Sequence, residues 1–153
     1  NSYAISVPQD KQMAVPSAAD KACGLGLPGI SVDGTDIEAV YQVMQEAVAR
    51  ARSGEGATVI EAKAYRLTPH SSDDDDRSYR TREEVEAHKK TDPIPLTQRL
   101  LLSKKIATQE QLDEMEARAK TEIDQAVADA TAAPYPDPEE VLHPVYAEEV
   151  NHA

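Results

Sequence analysis

The sequence contains no phenylalanine and no tryptophan, and aromatic residues make up 4% of it. Aromatic side chains ordinarily supply much of a core's buried area, so any core here must rest on aliphatic residues, alanines and six tyrosines. A single cysteine, Cys23, excludes an internal disulfide framework and makes a reducing, cytoplasmic setting the expectation. No apolar run reaches the roughly 18 residues of a membrane span, so no transmembrane helix is predicted. The opening Asn1-Ser2-Tyr3 has no basic segment ahead of an apolar stretch, so no signal peptide is read. Basic charge is scarce too: 16 Lys and Arg stand against 28 Asp and Glu, a net charge of -12. That balance argues against nonspecific nucleic-acid binding, which needs a cationic surplus to displace counterions.

What is present is enough for about one ordinary domain: 153 residues, 40% hydrophobic and 29% charged. A packed globular chain is expected from that mix. The acidic excess concentrates in residues 93–153, with 12 acidic against 5 basic groups, which predicts a strongly solvated surface there. The absence of an initial Met and the poverty of aromatics point to a fragment that packs against other chains, with a processed small domain as the alternative.

Along the chain, Tyr3-Ala4-Ile5-Ser6-Val7 reads as a strand stopped by Pro8, followed by a loop to Pro16. Ser17 is placed to cap a short helix through Cys23, ended by Gly24 and Gly26. Ile30-Ser31-Val32 is a strand candidate. Thr35-Asp36-Ile37-Glu38 has capping-box spacing. It precedes a helix with Ile37, Val40, Tyr41, Met44, Val48 and Ala51 on one face and Gly54 past its end. Ala57–Ala62 is the next strand. Strand, helix and strand with short turns predict a βαβ unit and a parallel sheet. Thr68 to Tyr79 has no periodicity and reads as an exposed or ligand-ordered loop. Thr81 with Glu84 forms a second capping box, for a helix to His88, and Asp92-Pro93-Ile94-Pro95 breaks it. A helix over Leu96–Lys104 turns Leu96, Leu100 and Leu101 inward. Thr108 with Gln111 caps the longest helix, with the stripe Leu112, Met115, Ala119, Ile123, Ala126, Val127 and Ala130. Pro134, Pro136 and Pro138 end it, and an extended tail follows that docks, if at all, through Val141, Leu142, Val145 and Tyr146.

Chemistry is sparse. Gly24-Leu25-Gly26-Leu27-Pro28-Gly29 lacks a preceding strand and carries Pro28, so turn glycines explain it better than a dinucleotide loop. Cys23 has no neighbouring His and reads as a buried structural thiol. His88, His143 and His152 read as surface residues. The informative stretch is His70-Ser71-Ser72-Asp73-Asp74-Asp75-Asp76. It lacks the alternating ligand spacing of an EF-hand loop. By composition it is a solvated acidic loop. Alternatively Arg66, Arg77, Arg80 and Arg82 pair with the aspartates and fix the loop so that His70 points into a site.

The order of Asn1-Ser2-Tyr3-Ala4-Ile5-Ser6, Pro28-Gly29, Val32-Asp33-Gly34, Ala39-Val40-Tyr41, Ile60-Glu61, Tyr65 through Asp74, Tyr79-Arg80 and Asp92-Pro93-Ile94 resembles the C-terminal part of the alpha chain of thiamine-diphosphate-dependent 2-oxo acid dehydrogenases. Tyr65-Arg66-Leu67-Thr68-Pro69-His70-Ser71-Ser72-Asp73-Asp74-Asp75-Asp76 most resembles bacterial branched-chain (2-oxoisovalerate) members, with pyruvate and acetoin dehydrogenases as near alternatives. The resemblance implies an α/β chain. Residues 1–67 would belong to a parallel-sheet thiamine-diphosphate-binding fold, 68–80 to an active-site loop, 81–133 to a helical region and 134–153 to an extended acidic tail. It implies that the Asn1 side-chain oxygen and the Tyr3 carbonyl ligate Mg2+. It further implies that His70 contacts thiamine diphosphate and assists acyl transfer. Arg66, Asp74, Tyr79 and Arg80 match loop anchors, and Ser71 matches the position phosphorylated in mitochondrial members. The implied partners are an upstream segment of the alpha chain, a beta chain in an alpha2-beta2 heterotetramer, and a lipoyl-bearing dihydrolipoyl acyltransferase core; no nucleic acid or membrane is implied. A non-catalytic acidic helical interaction module is the reading from a different class.

Overall fold

The computed structural model describes residues 1–142, with side chains through Val141. The chain divides into two compact units, Asn1–Ala107 and Thr108–Ala153.

The first unit opens with a hairpin rather than the single strand predicted over residues 3–7. Strands β1 (Tyr3–Ala4) and β2 (Val7–Pro8) pair antiparallel, with Tyr3 opposite Pro8 and Ala4 opposite Val7. The chain reverses at Ile5, which takes φ +55°. The predicted loop then holds one helical turn, α1 (Gln9–Gln12), whose Gln12 side chain donates to the Val7 carbonyl at 2.7 Å.

Ser17 caps a 3-10 helix, Ala18–Leu25, with the Asp20 carboxylate accepting back from the Ser17 N–H at 3.1 Å. Gly26, at φ +70°, ends it in the left-handed conformation. Three residues per turn put Ala19 and Ala22 on one face. Both are buried, whereas Cys23 falls off that face and is exposed, not the buried thiol expected. Strand β3 (Gly29–Asp33) runs directly beneath: a Cβ on Gly29 would lie 2.1 Å from the Ala19 carbonyl oxygen, so only glycine fits there.

Helix α2 (Ile37–Arg52) crosses from β3 to β4 (Val59–Lys63), and the two strands pair parallel from Gly29 opposite Val59 to Asp33 opposite Lys63. This is the predicted βαβ unit. The cap differs. Asp36 accepts the Glu38 and Ala39 N–H groups at 3.0 and 3.1 Å, because Thr35 is diverted to Asp33 Oδ1 at 2.8 Å. Glu38, freed from a capping box, meets Lys104 Nζ at 2.5 Å. Gly54, at φ +81°, follows the helix as predicted. The apolar stripe is present but uncovered, since Ile37, Tyr41, Met44 and Val48 are exposed.

Helix α3 (Arg82–Lys89) starts at Thr81, whose Oγ1 accepts the Glu84 N–H at 3.1 Å. Helix α4 (Pro93–Ser103) begins three residues before the predicted start. Asp92 caps it through the Ile94 N–H at 2.9 Å, and Pro93 occupies the first turn, where a missing N–H costs nothing. Leu96, Leu100 and Leu101 are half-buried.

The second unit contains the 24-residue helix α5 (Gln109–Ala132), which starts at the predicted Thr108–Gln111 capping box. Of its stripe Leu112 is buried, while Met115, Ile123 and Val127 are exposed. The tail is not wholly extended: Pro138–Leu142 forms a 3-10 turn, and Val141 is exposed rather than docked. The docking expected of Leu142, Val145 and Tyr146, and the placement of His143 and His152, fall outside the described side chains. Among the described residues the buried apolar set is Ala19, Ala22 and Leu112, far short of the packed core that composition suggests. No described helix is long and apolar enough to cross a membrane.

Candidate functional site

Four adjacent carboxylates repel one another unless each finds its own partner, and the loop supplies one for most of them. Asp75 takes Arg77 through both oxygens, at 2.6 and 2.8 Å, and starts the 3-10 turn Asp76–Ser78. Asp76 Oδ2 accepts from Arg80 Nε and Nη2 at 2.9 and 2.6 Å. Asp74 Oδ2 accepts the His70 backbone N–H at 2.9 Å and the Tyr79 hydroxyl. Among the described residues Asp73 has only a long contact from Ser72, at 3.5 Å. The Tyr79 hydroxyl and then the His70 N–H hold the Asp74 carboxyl below the usual carboxylate range.

The arginines tie this loop to the unit. The Arg80 side chain is fully buried; it donates to the Arg66 carbonyl and to the Thr68 carbonyl, the latter at 3.0 Å. Arg66 Nη2 donates to the Tyr79 hydroxyl and to the Ile5 carbonyl, both at 2.7 Å. The Arg66 N–H donates to the Asn1 carbonyl at 3.3 Å. A continuous path therefore runs from Asn1 through Arg66, Tyr79 and Asp74 to the backbone of His70. The His70 imidazole is exposed and has no hydrogen-bond partner among the described residues. Ser71 is exposed beside it, its carbonyl accepting the Asp74 N–H at 3.2 Å.

Three of the six tyrosines converge on this path. The Tyr3 ring lies edge-on to Tyr65, with centroids 6.0 Å apart, and tilted against Tyr79 at 5.7 Å. The Arg66 and Arg80 guanidinium carbons sit 5.7 and 5.8 Å from the Tyr3 centroid, within cation–π range. The Tyr3 and Tyr65 hydroxyls both donate to Glu84 Oε1 at 2.7 Å. Burial, and after it the Glu84 carboxylate, pushes the Tyr3 phenol up, while the two hydroxyls hold the Glu84 carboxyl down. Here lies the reason α3 lacks a complete capping box: the Glu84 carboxylate is committed to two tyrosines. His88, exposed as expected, stacks on Tyr65 with centroids 3.8 Å apart. Tyr65, Glu84 and His88 are not among the site residues that the sequence singles out. The available signal was the concentration of tyrosines around the loop in a chain otherwise poor in aromatics.

Asn1 also borders a groove of about 570 Å³ lined by Gln9, Met13, Pro16, Glu61 and Lys63; His70 does not line it. Glu61 closes one wall by accepting the Ser17 hydroxyl and the Ala18 N–H, the latter at 3.0 Å. Asn1 Oδ1 accepts the Tyr3 N–H at 3.3 Å. The Gln9 N–H donates to the Ser2 carbonyl at 2.9 Å, which makes Tyr3 and Pro8 a non-hydrogen-bonded pair and turns the Tyr3 carbonyl away from β2. Two hard, neutral oxygens thus stand at the start of the chain. Among the described residues no cluster of three or more His, Cys, Asp or Glu side chains could hold a metal ion unaided.

A family model described as "Dehydrogenase E1 component" matches residues 1–139. The chain is 50% identical over 147 residues to the 2-oxoisovalerate dehydrogenase subunit alpha of Bacillus subtilis, covering 96% of this chain and 44% of that protein. It is 48% identical over 151 residues to the 3-methyl-2-oxobutanoate dehydrogenase subunit alpha of Mycobacterium tuberculosis, covering 97% and 40%. A pyruvate dehydrogenase E1 component subunit alpha of Staphylococcus epidermidis is 44% identical over 131 residues, covering 85% and 35%. The chain spans less than half the length of these curated relatives.

Proposed function

The chain belongs to the dehydrogenase E1 component family, and from that premise we propose that it is the C-terminal part of the alpha subunit of a thiamine-diphosphate-dependent branched-chain 2-oxo acid dehydrogenase. The substrate class is 3-methyl-2-oxobutanoate and its homologues. The whole enzyme decarboxylates the 2-oxo acid and transfers the acyl group to a lipoyl group on a dihydrolipoyl acyltransferase core. An upstream alpha segment and a beta chain complete the site, and they cover the exposed apolar stripe of α2. A cytoplasmic setting suits the lone, exposed Cys23.

The observation that carries this reading is the hydrogen-bonded path from Asn1 to His70. It joins the two ends of the proposed site through Arg66, Tyr79 and Asp74. The relatives named for branched-chain substrates share 50% and 48% of aligned residues, against 44% for the pyruvate relative, which favours the branched-chain substrate.

Thiamine diphosphate, when bound, supplies the nucleophilic carbon and the electron sink that decarboxylation requires. The chain's own residues bind and orient. Asn1 Oδ1 and the Tyr3 carbonyl offer Mg2+ hard oxygens without adding negative charge beside a diphosphate. His70 stands on a loop fixed by its backbone while its imidazole makes no hydrogen bond among the described residues, and an imidazole so placed can act as a general acid or base. That arrangement suits proton donation or orientation during acyl transfer. Ser71 is a modification position only: a phosphate there would repel the aspartate run.

The test is decarboxylation by full-length alpha chain with beta chain, with and without Mg2+ and thiamine diphosphate. Faster turnover of 3-methyl-2-oxobutanoate than of pyruvate supports the reading. The reverse order overturns the substrate class. No cofactor-dependent turnover of either favours the non-catalytic acidic module.

A further inference from the structure

The function proposed above uses the Tyr3 carbonyl and leaves its side chain without a task. Yet the Tyr3 side chain is among the most heavily engaged in the molecule. Its hydroxyl meets Glu84 Oε1 at 2.7 Å, and the Tyr65 hydroxyl meets the same oxygen at the same distance. The three groups come from the opening hairpin, from the segment after β4 and from α3. Two hydroxyls donating to one ionised oxygen form a charge-assisted junction, stronger than a neutral pair. The backbone around Tyr3 shows why a junction is needed. Ser2 and Ile5 adopt φ +69° and +55°, both non-glycine residues in the left-handed region. Such conformations persist only where the surroundings over-determine them. Here Arg66 donates to the Ile5 carbonyl, and Glu84 accepts the Tyr3 hydroxyl.

We propose that Glu84 is a positioning residue: its Oε1 ties the strained segment Asn1–Ile5, the first arm of the hairpin, to Tyr65, and so to the Arg66–Tyr79–Asp74 network that holds the His70 loop. It touches no reacting atom. Its task is to keep the Asn1 side chain and the Tyr3 carbonyl in register with His70. This rests on the reading that those two oxygens face the cofactor. A merely structural Glu84 would stabilise α3 alone.

The test uses full-length alpha chain assembled with beta chain. Calorimetry reads thiamine diphosphate affinity in excess Mg2+, and amide exchange reads residues 1–5 and 68–80. Glu84→Leu removes the acceptor, whereas Glu84→Gln keeps a carbonyl oxygen for both hydroxyls. Glu84→Leu is expected to weaken thiamine diphosphate binding about tenfold, the equivalent of one lost charge-assisted bond, and to speed exchange in both segments together. Glu84→Gln is expected to stay within about threefold of wild type, since neutral acceptors lose only part of such a bond. The proposal is overturned if the Gln variant is as impaired as the Leu variant, or if Glu84→Leu speeds exchange in α3 alone. Should Glu84→Leu fail to assemble, Tyr3→Phe decides: faster exchange in both segments supports the tether, and unchanged exchange overturns it. If the wild-type assembly binds no thiamine diphosphate, the functional reading fails, while the exchange comparison still decides the tether.

Discussion

The backbone N–H of His70 donates to Oδ2 of Asp74 across 2.9 Å, and the Tyr79 hydroxyl donates to the same oxygen. The acidic run is therefore not a uniform anionic patch. Asp74 fixes the histidine's backbone, Asp75 shapes a turn with Arg77, and Asp76 neutralises a buried Arg80. Because the grip on His70 is through its main chain, the imidazole is left available.

Loosening that grip should mobilise the loop without disturbing the sheet. Tyr79→Phe removes a donor to Asp74 and an acceptor for Arg66. Amide exchange of residues 68–80 should speed by about tenfold, the scale of one or two lost hydrogen bonds, while β3 and β4 keep their protection. Unchanged loop exchange would show that Tyr79 does not order it.

Arg80 is the buried charge of the loop. Its side chain is fully buried and spans Asp76 and the Arg66 and Thr68 carbonyls. Arg80→Met leaves Asp76 and two carbonyls unpaired and should lower the loop's opening free energy by about 3–5 kcal/mol. Arg80→Lys should recover little, since an ammonium cannot reproduce the planar fork. Native-state exchange of both variants measures this.

Acid should act through Glu61. The Ser17 hydroxyl, then the Ala18 N–H, hold its carboxyl at about 2, against an ordinary value of 4.5. The folded value lies below the unfolded one. The Glu61 contribution is therefore complete above the unfolded value and is lost as pH falls from there through about 2. Carboxyl-carbon titration should find Glu61 still charged at pH 3, and Ser17→Ala should move its midpoint upward. Protection of Ala18–Leu25 should fall over the same interval, and Glu61→Gln should flatten that dependence.

Two glycines five residues apart should respond unequally to alanine. A Cβ at Gly29 meets backbone 2.1 Å away, whereas one at Gly24 meets nothing within 4 Å. Gly29→Ala should cost about 3 kcal/mol, the upper range for overpacking, and Gly24→Ala should be nearly neutral in thermal unfolding of the assembled protein.

Local patterns made much of the fold legible. Alternating and helical periodicities located β3, α2 and β4, and the side-chain chemistry of Ser17 and Thr108 marked two helix starts. Competition between partners hid the rest. Thr35 and Asp36 both suit a cap, and only the nearby Asp33 carboxylate decides between them. The hairpin at Ile5 has no glycine or asparagine to announce it. It depends on Arg66, 61 residues away in the chain. Glu84 has capping-box spacing, and that spacing concealed a tertiary role in which two distant tyrosines claim its carboxylate. Arg66, Asp74, Tyr79 and Arg80 stood out by resemblance, but the partner of each is visible only in three dimensions.

We propose that His70, held on its loop, serves acyl transfer in a branched-chain 2-oxo acid dehydrogenase. The most direct measurement compares wild-type and His70→Ala alpha chain, each assembled with beta chain, in two assays on 3-methyl-2-oxobutanoate. One assay reads decarboxylation with an artificial electron acceptor, and the other reads acylation of a lipoyl domain. In the His70→Ala assembly lipoyl acylation should fall at least about a hundredfold, the scale of one lost proton-transfer group, while thermal stability is unchanged and artificial-acceptor turnover falls much less. Equal lipoyl acylation by the two proteins would contradict it.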